Sequence, residues 1–294
     1  MSNVYSFLTG IILLQPFSLN IFLTSIVFSA ICIYLYDNCF KQLCVDSPCT
    51  NQYDFDYGLE KGPHKWKHLF PDAKGCYQSP VNIRTETTHI LKISEPLTWT
   101  SYDEFPVNVR ISNNGHTVVL RAEYENEPTL SGADLVETYS FVSLCFRWSL
   151  FDDEGSEHAV NDRRYPLEMQ GDLGVLILSY FFTTTKHDNP YLDSIIFYLE
   201  AIREPNTCTE IPPFPLSWLC YPYMSGFYSY GGSLTEPPCT EGVTWFVQPE
   251  PLSISENQLL EFRQILSKNG TRIVKNSRPV QELNSRIVYL RTTF

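Results

Sequence analysis

The chain is 294 residues long, and its 43% hydrophobic and 14% aromatic residues suffice for one large globular domain with an extension. Its 33 acidic against 21 basic residues give a formal net charge of −12, which excludes the clustered-cation surface of a nucleic-acid binder and favours a basic protein surface as partner. Nine cysteines without a CxxC pair argue against a cysteine-cluster metal site.

No charged side chain precedes Asp37. Two apolar runs, 7–14 and 21–36, flank Gln15-Pro16, and the tighter membrane-anchor candidate is 17–36 because Pro16 would kink a longer helix. A secretory signal peptide is the competing reading of residues 1–36, although a basic leading region and a small-residue cleavage site are lacking. Residues 37–52 are of mixed polarity around Ser47-Pro48 and read as a linker, leaving 53–294 as the globular domain.

Within that domain, Val107, Val109 and Ile111 alternate with polar residues up to Asn114-Gly115, and Thr117 to Leu120 follow, which predicts a hairpin with a tight turn. Val142, Leu144, Phe146 and Trp148 form the apolar face of a further strand, with Ser143, Cys145, Arg147 and Ser149 on the other face. The apolar run 173–182 predicts a strand buried on both faces. Leu192, Ile195, Ile196 and Leu199 are helically spaced. Ser255 with Gln258 reads as a capping box for a helix burying Leu259, Phe262, Ile265 and Leu266. Strands outnumber helices, so the fold class is a β-dominated α+β domain.

Six strings occur in order along the domain: Gln78-Ser79-Pro80-Val81-Asn82-Ile83, Asn113-Asn114-Gly115-His116, Gly155-Ser156-Glu157-His158, Gly232-Ser233-Leu234-Thr235, Pro237-Pro238 with Glu241-Gly242-Val243-Thr244-Trp245, and Ser277-Arg278-Pro279. Order and spacing resemble the α-class carbonic anhydrases from about Tyr57 onwards. The stretch Leu69-Phe70-Pro71-Asp72-Ala73-Lys74-Gly75 leading into Tyr77 looks most like the acatalytic, type VIII branch of that family. The resemblance implies a central twisted, mostly antiparallel sheet with short peripheral helices.

It also implies where a zinc site would lie. The three positions that carry zinc-binding histidines in the family become Cys145, Arg147 and, in Glu168-Met169-Gln170, Gln170. Arg offers no lone pair to a metal, so the expectation is that zinc is lost, no cofactor is bound and the chain is not an enzyme. The rest of the pocket maps onto His116 as the proton-shuttle position, Thr235 paired with Glu157, and Val175, Val243 and Trp245 as the apolar wall that receives carbon dioxide. Glu236 departs from the hydroxyl residue of the small enzymes. Arg147 is expected to fill the vacated space and to be neutralised by Glu157, Glu236 or both, because an unpaired buried cation costs several kcal/mol. A longer connection is expected after Gln170 in the family, whereas here Gly171-Asp172 leads at once into Leu173. Secreted relatives raise a Cys76–Cys239 disulfide, whereas the type VIII pattern carries the second cysteine without secretion; both readings stay open.

The leading functional expectation is a protein-binding module. The type VIII resemblance implies the inositol trisphosphate receptor as partner, a role in calcium signalling and a cytoplasmic location. The alternatives are a membrane-anchored adhesion or receptor ectodomain, for which Asn269-Gly270-Thr271 supplies a glycosylation sequon at Asn269, and a hydratase or esterase with residual activity through His116 or Cys145.

Overall fold

The computed structural model describes residues 53–223 and 225–293. The anchor or signal segment and the linker lie outside the described residues. Among the described residues, no helix is long and apolar enough to cross a membrane.

Eleven strands form the main sheet. They are β1 (His89–Lys92), β2 (Asn108–Asn113), β3 (Val118–Glu123), β4 (Ser143–Trp148), β5 (Leu167–Asp172) and β6 (Leu176–Thr185). β7 (Thr207–Ile211), β8 (Phe227–Ser233), β9 (Glu241–Val247), β10 (Leu252–Ser255) and β11 (Tyr289–Thr292) complete it. The order across the sheet is β7-β2-β3-β4-β5-β6-β9-β8-β11-β1, with β10 on the distal half of β6. Only β6–β9, β6–β10 and β11–β1 pair in parallel, so the sheet is mostly antiparallel, as the resemblance implied. Among the described residues, three short α-helices, α1 (Pro63–Leu69), α2 (Asp193–Tyr198) and α3 (Glu256–Phe262), accompany it.

Side-chain alternation separates an apolar face from a polar one at the centre of this sheet. Leu144, Phe146 and Trp148 of β4, Leu167 and Met169 of β5, and Leu176, Leu178, Tyr180 and Phe182 of β6 enter the larger core. Leu259 and Phe262 of α3 close over it, with the Phe146 and Phe262 rings 5.0 Å apart. Each of these aromatic side chains, taken out of water, contributes roughly 1.5–3 kcal/mol. The opposite face of the same strands carries Cys145, Arg147, Glu168, Gln170 and Ser179.

The predicted hairpin is present as β2–β3, in register from Asn108↔Glu123 to Asn113↔Val118. The capping box is complete: Ser255 Oγ accepts the Gln258 N–H at 3.1 Å, and the Ser255 N–H donates to Gln258 Oε1 at 3.2 Å. Leu192, Ile195 and Leu199 are buried around α2. Two boundaries differ from expectation. Val142 lies before β4 and is exposed. The run 173–182 is not one strand, because residues 173–175 make the turn between β5 and β6; Gly174 adopts φ +86° and gives its N–H to Asp172 Oδ1 at 2.8 Å. Cys76 and Cys239 are free thiols, which closes the disulfide alternative for that pair.

Candidate functional site

The polar face of β4 and β5 is set by register. Gln170 pairs opposite Cys145, and Glu168 opposite Arg147, so four non-apolar side chains project side by side from two central strands. Cys145, Arg147 and Gln170 form the floor of a pocket of about 350 Å³, whose wall includes Ile177, Leu234, Thr235 and Glu236, while Glu168 lies buried behind them.

Arg147 is 3% exposed and is held by both expected carboxylates. Nη1 lies 2.5 Å from Glu236 Oε1, and Nε lies 3.4 Å from Glu157 Oε2. Nη1 also donates to Tyr57 Oη, and Nε to Gln170 Oε1, each at 3.3 Å. Burial alone would lower the Arg147 pKa, but Glu236 leads the opposing interactions that raise it well above the usual arginine value. The cation is therefore fixed and permanently charged. Burial pushes the Tyr57 hydroxyl well up, so it stays a neutral partner.

A second layer lies behind this pair. Glu168 is fully buried; its Oε2 accepts the Glu157 and His158 N–H groups at 2.8 and 2.9 Å, and its Oε1 faces His158 Nδ1 and the Ser179 hydroxyl at 2.8 Å each. Burial pushes its carboxyl up, yet His158 and the hydrogen bonds outweigh that and bring the pKa down to about 2. Gln170 Nε2 links the layers by donating to Glu157 Oε2 at 2.7 Å and Glu168 Oε1 at 3.1 Å. His158 Nε2 continues to Tyr230 Oη at 2.6 Å and Tyr230 to Ser79 Oγ at 2.9 Å. Every member is satisfied, which makes the network rigid.

Several assignments need correction. Thr235 lines the pocket but is not bonded to Glu157, whose Oε1 accepts the Arg278 N–H at 2.8 Å while Oε2 faces Gln170 and Arg147. The guanidinium and the Gln170 amide have taken that carboxylate. Val175 is 58% exposed in the β5–β6 turn, and Ile177 lines the wall instead. Val243 and Trp245 are buried in the smaller apolar cluster with Ile177 and Phe181 rather than lining the pocket; the Trp245 ring sits 4.6 Å from that of His158. His116 is buried and stacks on Phe55, with centroids 4.0 Å apart and planes at 10°. Burial lowers its pKa, so the ring favours the neutral form. Tyr57, Phe55 and Ile177 were not singled out from the sequence, and the apolar run around Ile177 carries no signal that this one side chain faces the pocket.

With that geometry in place, comparison with known proteins is decisive for the family. The model of the eukaryotic-type carbonic anhydrases matches residues 61–171 and 170–292. The chain belongs to the eukaryotic-type carbonic anhydrase family. It is 34% identical over 244 residues to "Putative carbonic anhydrase 3" of Caenorhabditis elegans, covering 81% of this chain and 96% of that protein. "Carbonic anhydrase 7" of Mus musculus is 32% identical over 260 residues, and its Homo sapiens counterpart 32% over 261, each covering 81% of this chain and 97% of the relative. The two matched stretches overlap at Gln170 and Gly171, just before the tight β5–β6 turn and at the place where the sequence shows the shortened connection.

Zinc is the cofactor this carbonic anhydrase fold implies, and the donor set at 145, 147 and 170 does not suit it. Arg147 has only donors. Gln170 Oε1 already accepts from Arg147, and its Nε2 is engaged by two carboxylates. Cys145 is a soft ligand only as thiolate, and burial pushes its thiol up to about 12. Among the described residues, no group of three or more His, Cys, Asp or Glu is arranged to hold a metal ion.

Proposed function

We propose that this carbonic anhydrase domain does not hydrate carbon dioxide and acts by binding another protein, as in the acatalytic branch of its family. The observation that carries this reading is the Arg147 guanidinium, buried on the face to which the family resemblance assigns the zinc ligands and clamped between Glu236 and Glu157. A metal hydroxide there would have to share the pocket with a fixed positive charge. Residual chemistry through the chain's own groups is poorly supported. The Cys145 thiol is neutral at physiological pH, and its hydrogen-bond partner is the Gln170 amide, which is no base. His116 is stacked and has no activated water to relay a proton from.

The type VIII resemblance makes the modulatory region of the inositol trisphosphate receptor the partner to test, and the net charge of −12 fits a basic docking surface. Stopped-flow carbon dioxide hydration should give the buffer rate, with or without added zinc, while the receptor region should be retained by the immobilised protein. Hydration above buffer would overturn the proposal.

One observation favours a second reading, the anchored ectodomain. Asn269 is exposed on a turn whose Gly270 has φ +72°, and the Ser267 and Thr271 hydroxyls lie 3.2 Å apart beside it. Glycopeptide mapping of Asn269 separates the two: a glycan there excludes a cytoplasmic receptor region as partner, and a bare asparagine in cell-derived protein removes the support for an ectodomain.

A further inference from the structure

Away from the pocket, the described residues contain an aromatic groove of about 630 Å³ lined by Trp99, Pro190, Tyr191, Trp218 and Tyr221, with Asp103 as its single charged lining residue. Tyr191, Trp218 and Tyr221 are 51%, 42% and 52% exposed, an unusual cost in water for three large rings gathered in one place. The rings are held in position. Trp218 stacks on Phe214 at 6.1 Å and 10° and lies 5.6 Å from Tyr191. Trp99 stands edge-on to buried Tyr102 at 4.9 Å, and the Tyr191 N–H is tied to Asn189 Oδ1 at 3.1 Å. The indole N–H groups of Trp99 and Trp218 and the hydroxyls of Tyr191 and Tyr221 have no hydrogen-bond partner among the described residues.

The geometry points to a proline-rich segment of a partner protein, carrying an adjacent Arg or Lys, as the occupant of this groove. This deepens the binding-module reading by naming one surface and the chemistry it recognises. A polyproline II chain has no internal hydrogen bonds and presents its carbonyls outwards, which matches a groove whose unengaged groups are chiefly donors. Its pyrrolidine rings pack their C–H groups against exposed aromatics, and its pre-formed backbone loses little entropy on docking. Asp103, on a chain of net charge −12, supplies the complement for the basic residue. An oligosaccharide would also stack, but of the carboxylate and the amide that line the groove and would grip its hydroxyls, only the Asp103 carboxylate is free among the described residues. The groove's amide, Asn189, is already engaged, with Nδ2 on the Ser253 carbonyl at 2.8 Å and Oδ1 on Tyr191.

The test is titration of the full chain with a polyproline peptide ending in arginine, followed by tryptophan fluorescence. Saturable binding is expected, weakened at least tenfold by W218A and Y191A. D103N should weaken the arginine peptide several-fold, make its binding less salt-dependent and leave an arginine-free peptide unchanged. The substituted rings are half-exposed, and an unaltered circular dichroism spectrum certifies each variant. Failure to saturate, wild-type affinity in W218A, or tighter binding of an oligosaccharide panel would overturn the assignment. Because zinc content and hydration are read separately, that failure would leave the catalytically silent reading standing.

Discussion

Arg147 ties the site together. It meets two carboxylates, a tyrosine hydroxyl and an amide while only 3% exposed. Removing one partner of such a buried pair leaves the other charge stranded, so R147M is expected to cost about 3–5 kcal/mol in denaturant unfolding. Adding E236Q should return part of that loss, and a strictly additive double mutant would show that the two groups are not coupled. Glu168 gives a pH signature. Its folded pKa of about 2 lies below the ordinary value of 4.5, so the stability it contributes is present above about pH 4.5 and is lost as pH falls towards 2. E168Q should therefore unfold more readily than wild type at neutral pH, with the difference narrowing through that acid window; a constant difference would contradict the assignment. Much at this scale was legible in the sequence, because Cys145 and Arg147 fall on one face by alternation alone. The pairing of Arg147 with Glu157 was legible too, but the exclusion of the Thr235 hydroxyl was not, since it depends on Gln170 also reaching that carboxylate from another strand.

At the scale of elements, the β5–β6 turn distinguishes this chain. Asp172↔Ile177 closes the pair, Gly174 carries the positive φ, and a Cβ built there would meet nothing within 4 Å. The cost of G174A is therefore conformational alone, about 1 kcal/mol in chemical denaturation, and G174N should cost less. A loss of several kcal/mol would mean that the turn packs against something else. The sequence revealed the shortening but not the turn itself, because the apolar run 173–182 is continuous in composition. Its Gly174 serves the turn and its Val175 faces solvent. The β2–β3 hairpin and the α3 cap were legible because their signals, Asn-Gly and Ser-x-x-Gln, are local and act through backbone hydrogen bonds.

Across the described residues, the family fold is present with a polar face built around Arg147. The sheet, its flanking helices and the two larger apolar clusters need only binary patterning and turn chemistry, which the sequence displays openly. The pocket wall needs tertiary knowledge: the family resemblance assigned Val243 and Trp245 to the cavity, yet they pack into the second apolar cluster. The account rests on a guanidinium having replaced a metal, and metal analysis tests that most directly. Protein purified without chelators and then dialysed against zinc should retain, by mass spectrometry under native conditions, no stoichiometric zinc; one tightly held zinc per chain would contradict it.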